Sequence, residues 1–330
     1  MPYSPRRTQR RGFMLAAVVT MLSFPAIASS AVNYPNKPIT VVVPFSAGAG
    51  TDLVARALAE KLGAQLKTSV IVENRPGAAG VIGTSFAAQA APDGYTILFT
   101  PSSFSFAHIA TGSAKPQYDP IESFKPVIEV AKTPVILVAG PSVDVSSFPE
   151  ALAAAKKEPP SYGSAGSGSI THLIGEAVNR ATEMGNSHIP YKGTSQAIAD
   201  LLGGHIDYAY ASLSAVEPHV ASNKLKMLAV TSKERTALAP NVPTVAESGF
   251  PEVDLETWYG IFAPQGTSDD VINVLNKNFN DILMMPDIQN TLKKQGSTAV
   301  GGAASVLDAT NRSDAKALQT LFKQLNLSAN

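Results

Sequence analysis

The chain contains no cysteine, which excludes disulfides, thiolate metal sites and a lipid-modified N-terminal cysteine. Charge is sparse: only 16% of the 330 residues are Asp, Glu, Lys or Arg, so no broad electrostatic surface is expected. No run reaches the ~18 apolar residues that a membrane-spanning helix needs. The common catalytic fingerprints are missing as well. Gly48-Ala49-Gly50 is followed by Leu53 where a dinucleotide loop needs its third glycine, and only Glu73 approaches the spacing of the ribose-binding acid. There is no G-x-x-x-x-G-K-[ST] phosphate loop. The Ser/Gly-rich stretch 164–169 never forms the G-x-S-x-G of a nucleophile elbow. The five histidines, His108, His172, His188, His205 and His219, make no H-x-x-x-H or H-E-x-x-H frame, so neither a metal site nor a cofactor is expected. The single tryptophan, Trp258, reads as a core or hinge residue. These absences argue against an enzyme.

What remains is a globular chain of 45% hydrophobic residues, rich in Gly and Pro at 24 each, and long enough for two domains. Residues 1–31 have the three regions of an export signal. Arg6, Arg7, Arg10 and Arg11 form the basic part, and Phe13 to Ile27 the short apolar part. Cleavage frames lie at Ala26-Ile27-Ala28 and at Ser29-Ser30-Ala31. Arg10-Arg11-Gly12-Phe13-Met14 also resembles a twin-arginine signal, although Gln9 stands where Ser or Thr is usual. Export through either route without a lipid anchor fits a Gram-negative periplasm. Removing the signal's four arginines leaves 22 basic residues against 26 acidic ones. A weakly acidic protein is a poor partner for nucleic acid.

One construction recurs along the chain. Thr40 to Val43 is a β-branched run, Pro44 to Gly50 is a loop of mostly small residues, and Thr51 opens a helical pattern through Leu53, Val54, Ala57, Leu58 and Leu62. The spacing predicts a helix that ends near Gly63. Val70 to Glu73 leads through the 74–83 loop into a second helix, and Tyr95 to Phe99 opens into Thr100-Pro101-Ser102-Ser103. From Lys115 to Pro126 the pattern is irregular. Val135 to Ala139 restarts it, Ser161 to Ser169 and His188 to Ser195 repeat the strand, small loop and helix, and three helices end the chain. Repeated βα units predict two lobes, each a mostly parallel sheet flanked by helices, facing across a cleft. Ligands in such sheets gather at the C-terminal strand ends.

The first turn of a helix has N–H groups without partners and a partial positive charge, so these loops suit an anion. The same glycines also serve plain turn geometry, and stretch 44–52 alone leaves both readings open. Asp52, in a helix's first turn, has a structural role open to it through the dipole. Arg75 and Lys192 lie in loops where they can meet an anion or remain solvated. His172 sits beside the Gly/Ser loop, where capping or packing is favoured over ligand contact.

Several ordered stretches together resemble one family. They include Tyr34-Pro35-x-x-Pro38, Val42-Val43-Pro44-Phe45 with Gly50-Thr51-Asp52, and Val72-Glu73-Asn74-Arg75-Pro76-Gly77. Ala91-Pro92-Asp93-Gly94-Tyr95-Thr96, Tyr162-Gly163-Ser164-Ala165-Gly166, His188-Ile189-Pro190-Tyr191-Lys192-Gly193 and Val242-Pro243-Thr244 continue the series. The chain thus resembles the Bug receptors, the periplasmic substrate-binding proteins of tripartite tricarboxylate transporters, or TctC family. The resemblance implies a type II-like periplasmic binding protein with its ligand between two lobes. Lobe 1 would take residues 32–133 and 256–330, and lobe 2 residues 134–255. It implies a small carboxylate held by Phe45, Ser46, Ala47 and Gly48 on one side and Ser164, Ala165, Gly166 and Thr171 on the other. Gly77, Ala78, Ser102 and Ser103 would be neighbours, and Phe45 either an apolar wall or a cap on the strand core. Two departures stand out. Ser46-Ala47-Gly48-Ala49-Gly50 replaces the family's usual Pro-Pro-Gly-Gly-Gly, and Ala211 stands where Asp is common, which implies a ligand without a cationic amine. The expected partners are a small carboxylate and the membrane subunits of such a transporter, with the receptor itself a monomer. A receptor that signals to a sensor kinase is the main rival, and a hydrolase using Ser164 or Ser167 a remote one.

Overall fold

The computed structural model describes residues 1–4, 34–110 and 117–324. The export signal falls almost wholly outside the described residues. Among those described, no helix is long and apolar enough to cross a membrane.

The β-branched run Ile39–Val43 forms β1 and pairs in parallel with β2 (Val70–Asn74) and β3 (Thr96–Pro101), Val41 lying opposite both Val72 and Ile97. Helix α1 (Gly50–Leu66) buries Val54, Ala55, Leu58, Ala59 and Leu62, while Leu53 points outward. It also runs past Gly63, where the sequence pattern ended it. Gly63 is used for close approach instead: a Cβ there would stand 3.0 Å from the Thr68 carbonyl oxygen. The stop comes at Lys67, in a left-handed conformation whose N–H returns to the Gly63 carbonyl. Helices α2 (Val81–Ala88) and α3 (Phe104–Ala110) follow β2 and β3.

The largest difference from the sequence reading is β4 (Phe124–Thr133), which begins inside the stretch expected to be irregular. Lys125 and Pro126 hide it. Pro126 is tolerated because the register with β10 (Thr257–Pro264) shifts beside it, between Ile261 and Phe262. With β11 (Thr298–Ala299) the first sheet has the order β11-β4-β10-β3-β1-β2. The second contains β5 (Val135–Ala139), β6 (Ser161–Ser164), β7 (Ser187–Pro190), β8 (Tyr208–Ser212) and β9 (Lys226–Val230), in the order β7-β6-β8-β5-β9. Both sheets are mixed in their pairing, yet most strands of each run in one direction, as the repeated βα units predict. β10 and β11 in the first sheet and β5 in the second run against the rest, so β4 and β9, although they pair antiparallel, point the same way as β3 and β8.

Helices α4 (Phe148–Ala155), α5 (Ile170–Thr182), α6 (Thr194–Leu202) and α7 (Leu213–Ala221) serve the second sheet. The last three, α8 (Asp269–Leu283), α9 (Pro286–Lys294) and α10 (Ala304–Gln324), return to the first. One face of that sheet buries Ile39, Val41 and Val43 with Leu58, Leu275 and Phe279. The other buries Val42 and Leu98 with Phe104, Trp258, Phe262 and Leu307, so Trp258 is a core residue. Two crossings join the lobes side by side. Thr257 Oγ1 donates to the Thr133 carbonyl at 2.9 Å, and Leu255 N–H to the Thr231 carbonyl at 2.9 Å.

Candidate functional site

The loop after β1 is shaped by one buried carboxylate. Asp52, 1% exposed, accepts the Gly48 N–H at 2.8 Å, Arg56 Nε at 2.9 Å and Asn74 Nδ2 at 2.9 Å. Asn74 also donates to the Phe45 carbonyl, which fixes the loop at both ends. Burial opposes ionisation of Asp52, but the bonds from Arg56, Gly48 and Asn74 outweigh it and hold the carboxyl below its usual range. Gly48 has φ +82°, a left-handed turn that favours glycine. Its N–H is spent on Asp52, so the implied role of Gly48 as a backbone donor to a ligand does not fit this form. Ser46 and Ala47 are exposed, and neither N–H has a partner among the described residues. Phe45 packs on the lobe core, and its ring stands 3.4 Å from the position a Cβ would take on Gly80. Capping the core describes it better than a free apolar wall.

Beside this loop, Gly77, Ala78, Ala79 and Gly80 all have positive φ, two of them without being glycine. Gly77 and Ala78 are exposed. Arg75 is occupied, pairing with Glu73 at 2.6 Å and lying 3.5 Å over the Phe86 ring. Ser102 is buried at the end of β3, its hydroxyl without a partner among the described residues, while the Ser103 carbonyl accepts N–H groups of α3.

The loop after β6 is bonded within itself. Ala165 N–H donates to Thr171 Oγ1 at 3.0 Å, Gly166 N–H to Ser164 Oγ at 3.1 Å, and Gly168 N–H to His172 Nδ1 at 3.0 Å. Ser169 caps α5, its hydroxyl accepting the His172 N–H. Ser167 is exposed and its N–H has no partner among the described residues. Under the loop, the rings of His172 and His188 stack with centroids 3.7 Å apart. His188 Nε2 lies 2.7 Å from Ser164 Oγ. Desolvation pushes both imidazoles below their ordinary pKa, His188 to about 4, with the neighbouring His172 adding to the effect.

The Ser164–His188 contact supplies a paired base that no motif announces. It still makes a poor nucleophile and base. The hydroxyl is buried and engaged with Gly166, and an imidazole titrating near 4 is a weak base at neutral pH. Sequence reasoning missed this partner because it arrives from the next strand, through the parallel β6–β7 register that sets His188 opposite Tyr162. It also missed Arg56 and Asn74 as anchors of the first loop.

Ala211 is the clearest correction. It is fully buried in an apolar cluster with Ile136, Leu213 and Val216, so its side chain faces the lobe core. No hydrogen bond joins the two loops among the described residues. A cavity of about 490 Å³ at the crossing strands, lined by Lys132, Arg235, Asp254 and Glu256 among others, is separate from both. Two of its cations are paired, Lys132 with Glu256 at 3.3 Å and Arg235 with Glu247 at 2.8 Å. No group of His, Asp or Glu among the described residues is placed to hold a metal.

The arrangement is thus two small-residue loops, each at a C-terminal strand end and each feeding a helix N-terminus with open N–H groups. Known proteins resemble this chain over most of its length. The sequence pattern of the tripartite tricarboxylate transporter family receptors (TctC) matches residues 54–327. Protein BugT of Bordetella pertussis is 37% identical over 87% of this chain and 89% of its own. Among solved structures, R. palustris Rpa4515 with adipate superimposes with a TM-score of 0.73 at 28% identity, covering 90% of this chain and 99% of that one. MatC (Rpa3494) from Rhodopseudomonas palustris with bound malate gives 0.70 at 28% identity, covering 87% and 99%.

Proposed function

We propose that this chain, which belongs to the family of tripartite tricarboxylate transporter receptors (TctC), captures a small carboxylate between its two lobes and hands it to the membrane subunits of such a transporter. Proteins of this family are solute-binding receptors, which argues against a catalytic role for Ser164 or Ser167. The lobes would divide at residues 133/134 and 255/256, and the protein would work in the periplasm once residues 1–31 are removed.

The observation that carries the reading is the pairing of open donors. Ser46 and Ala47 with the first turn of α1 offer one set, and Ser167 with the first turn of α5 the other. Charge-assisted hydrogen bonds from such fixed N–H groups strengthen as water leaves a closing cleft. Gly77, Ala78, Ser102 and Ser103 would line the first side, and Ser164, Ala165, Gly166 and Thr171 would hold the second loop in shape. Hinge motion at the crossings lets a ligand that touches both loops favour the closed state. The adipate and malate bound by the two R. palustris relatives make small dicarboxylates the first class to test. A thermal-shift screen of small carboxylates against matched amides and amines tests the reading. Stabilisation confined to carboxylates supports it, and stabilisation by none of them overturns it.

A further inference from the structure

The histidine stack under the second loop has a protonation-sensitive atom at its centre. His172 Nδ1 accepts the Gly168 N–H at 3.0 Å, so that nitrogen carries no proton in this form. If it gained one, two N–H donors would face each other and Gly168 would have to move. His188 lies flat against the same ring at 3.7 Å, which disfavours charge on both imidazoles together.

The surroundings bear on where a proton would settle. On α5 itself Glu176 Oε1 is 3.9 Å from His172 Nε2 and favours a charged His172. On β6 Tyr162 donates to that same Glu176 oxygen at 2.6 Å and lies beside His188. On β8 Tyr210 meets Tyr162 edge to face. Towards α3 and α10, Leu173 meets Phe106 and Leu318, and the charged Arg180, which donates to Gln324, lies in the last turn of α5, away from His172. The counter-charge therefore sits next to His172, and His172 is where the first proton goes.

We infer that His172 is a positioning residue acting as a proton-sensitive latch: its neutral ring, covered by His188, holds the loop 164–169 in order through Gly168, and protonation releases that loop. Desolvation keeps both rings neutral at pH 7. The latch is closed there and opens as the pH falls below the ordinary histidine range. The consequence for capture, weaker carboxylate binding in acid, rests on the receptor reading above; the latch itself does not.

Amide exchange of Gly168 in the ligand-free protein, normalised to the intrinsic rate at each pH, tests it between pH 7.5 and 4.5. The wild type should lose at least tenfold of its Gly168 protection as the pH falls. His172→Asn keeps an acceptor near the Nδ1 position without titrating, and its protection should stay flat. His172→Phe keeps a flat ring and loses the acceptor, so its loop should be unprotected throughout. Flat protection in the wild type, or a parallel loss in His172→Asn, overturns the latch whether or not any carboxylate binds. A working latch in a protein that binds no carboxylate would instead count against the receptor reading alone.

Discussion

Asp52 Oδ2 accepts the backbone N–H of Gly48 at 2.8 Å, folding the first loop back onto the helix it introduces. The apex of that loop is therefore set by a buried carboxylate, and the N–H groups of Ser46 and Ala47 are left for something else. Replacing Asp52 by Ala strips partners from Gly48, Asn74 and Arg56 at once. A loss of about 2–4 kcal/mol in urea denaturation is expected, with a smaller loss for Asp52→Asn, which keeps one acceptor. Because the folded carboxyl titrates below its usual range, its contribution is complete above pH ~4 and fades as the pH falls further.

Ala79 holds φ +53° in the strained turn next to that loop. A left-handed alanine costs roughly 1–2 kcal/mol, part of which the greater freedom of an unfolded glycine cancels. Ala79→Gly should accordingly raise the melting temperature by a degree or more. An unchanged or lower melting temperature would show that the turn is not strained at this residue.

Trp258 Nε1 donates to Asp314 at 2.6 Å, and burial raises that carboxyl to about 6. Its contribution to stability is greatest below the unfolded value near 4 and declines as the pH rises towards 6. As Trp258 is the only tryptophan, its emission should titrate with a midpoint near pH 6 in the wild type. Asp314→Asn should abolish that transition and stabilise the protein at pH 8 by about 1 kcal/mol.

Ala211 offers a test of a different kind. Its side chain is packed with Ile136, Leu213 and Val216, so Ala211→Asp should cost several kcal/mol by burying an unpaired carboxylate and confer no affinity for amines. The ground for expecting a ligand without an amino group is thereby removed, and amino acids belong in the ligand screen.

Much of the fold was legible because periodicity and caps are local. The α8 start at Ser268, the α9 span and the stop of α6 at Gly203 all follow from neighbouring residues. β4 was not legible, since Lys125 and Pro126 break the pattern that its partner β10 accommodates with a register shift. The reversal of β10 and β5 was not legible either, being decided by crossings far apart in sequence. At the site, small loops before helices were visible as donors of N–H groups. Which N–H groups are already spent depends on Asp52, Thr171 and His172 side chains turning back, and on His188 arriving from another strand.

The central claim is most directly tested by calorimetric titration of the wild type and of Ala47→Asp with small carboxylates, adipate and malate among them, and with amino acids. Ala47 is exposed in the first loop, so the added charge should leave the unliganded melting temperature nearly unchanged. At least one carboxylate should bind the wild type, adding about 2.7 kcal/mol of stability at a hundredfold excess over its Kd, and Ala47→Asp should lose that binding. No binding of any carboxylate by the wild type, or undiminished affinity in the variant, would contradict the account.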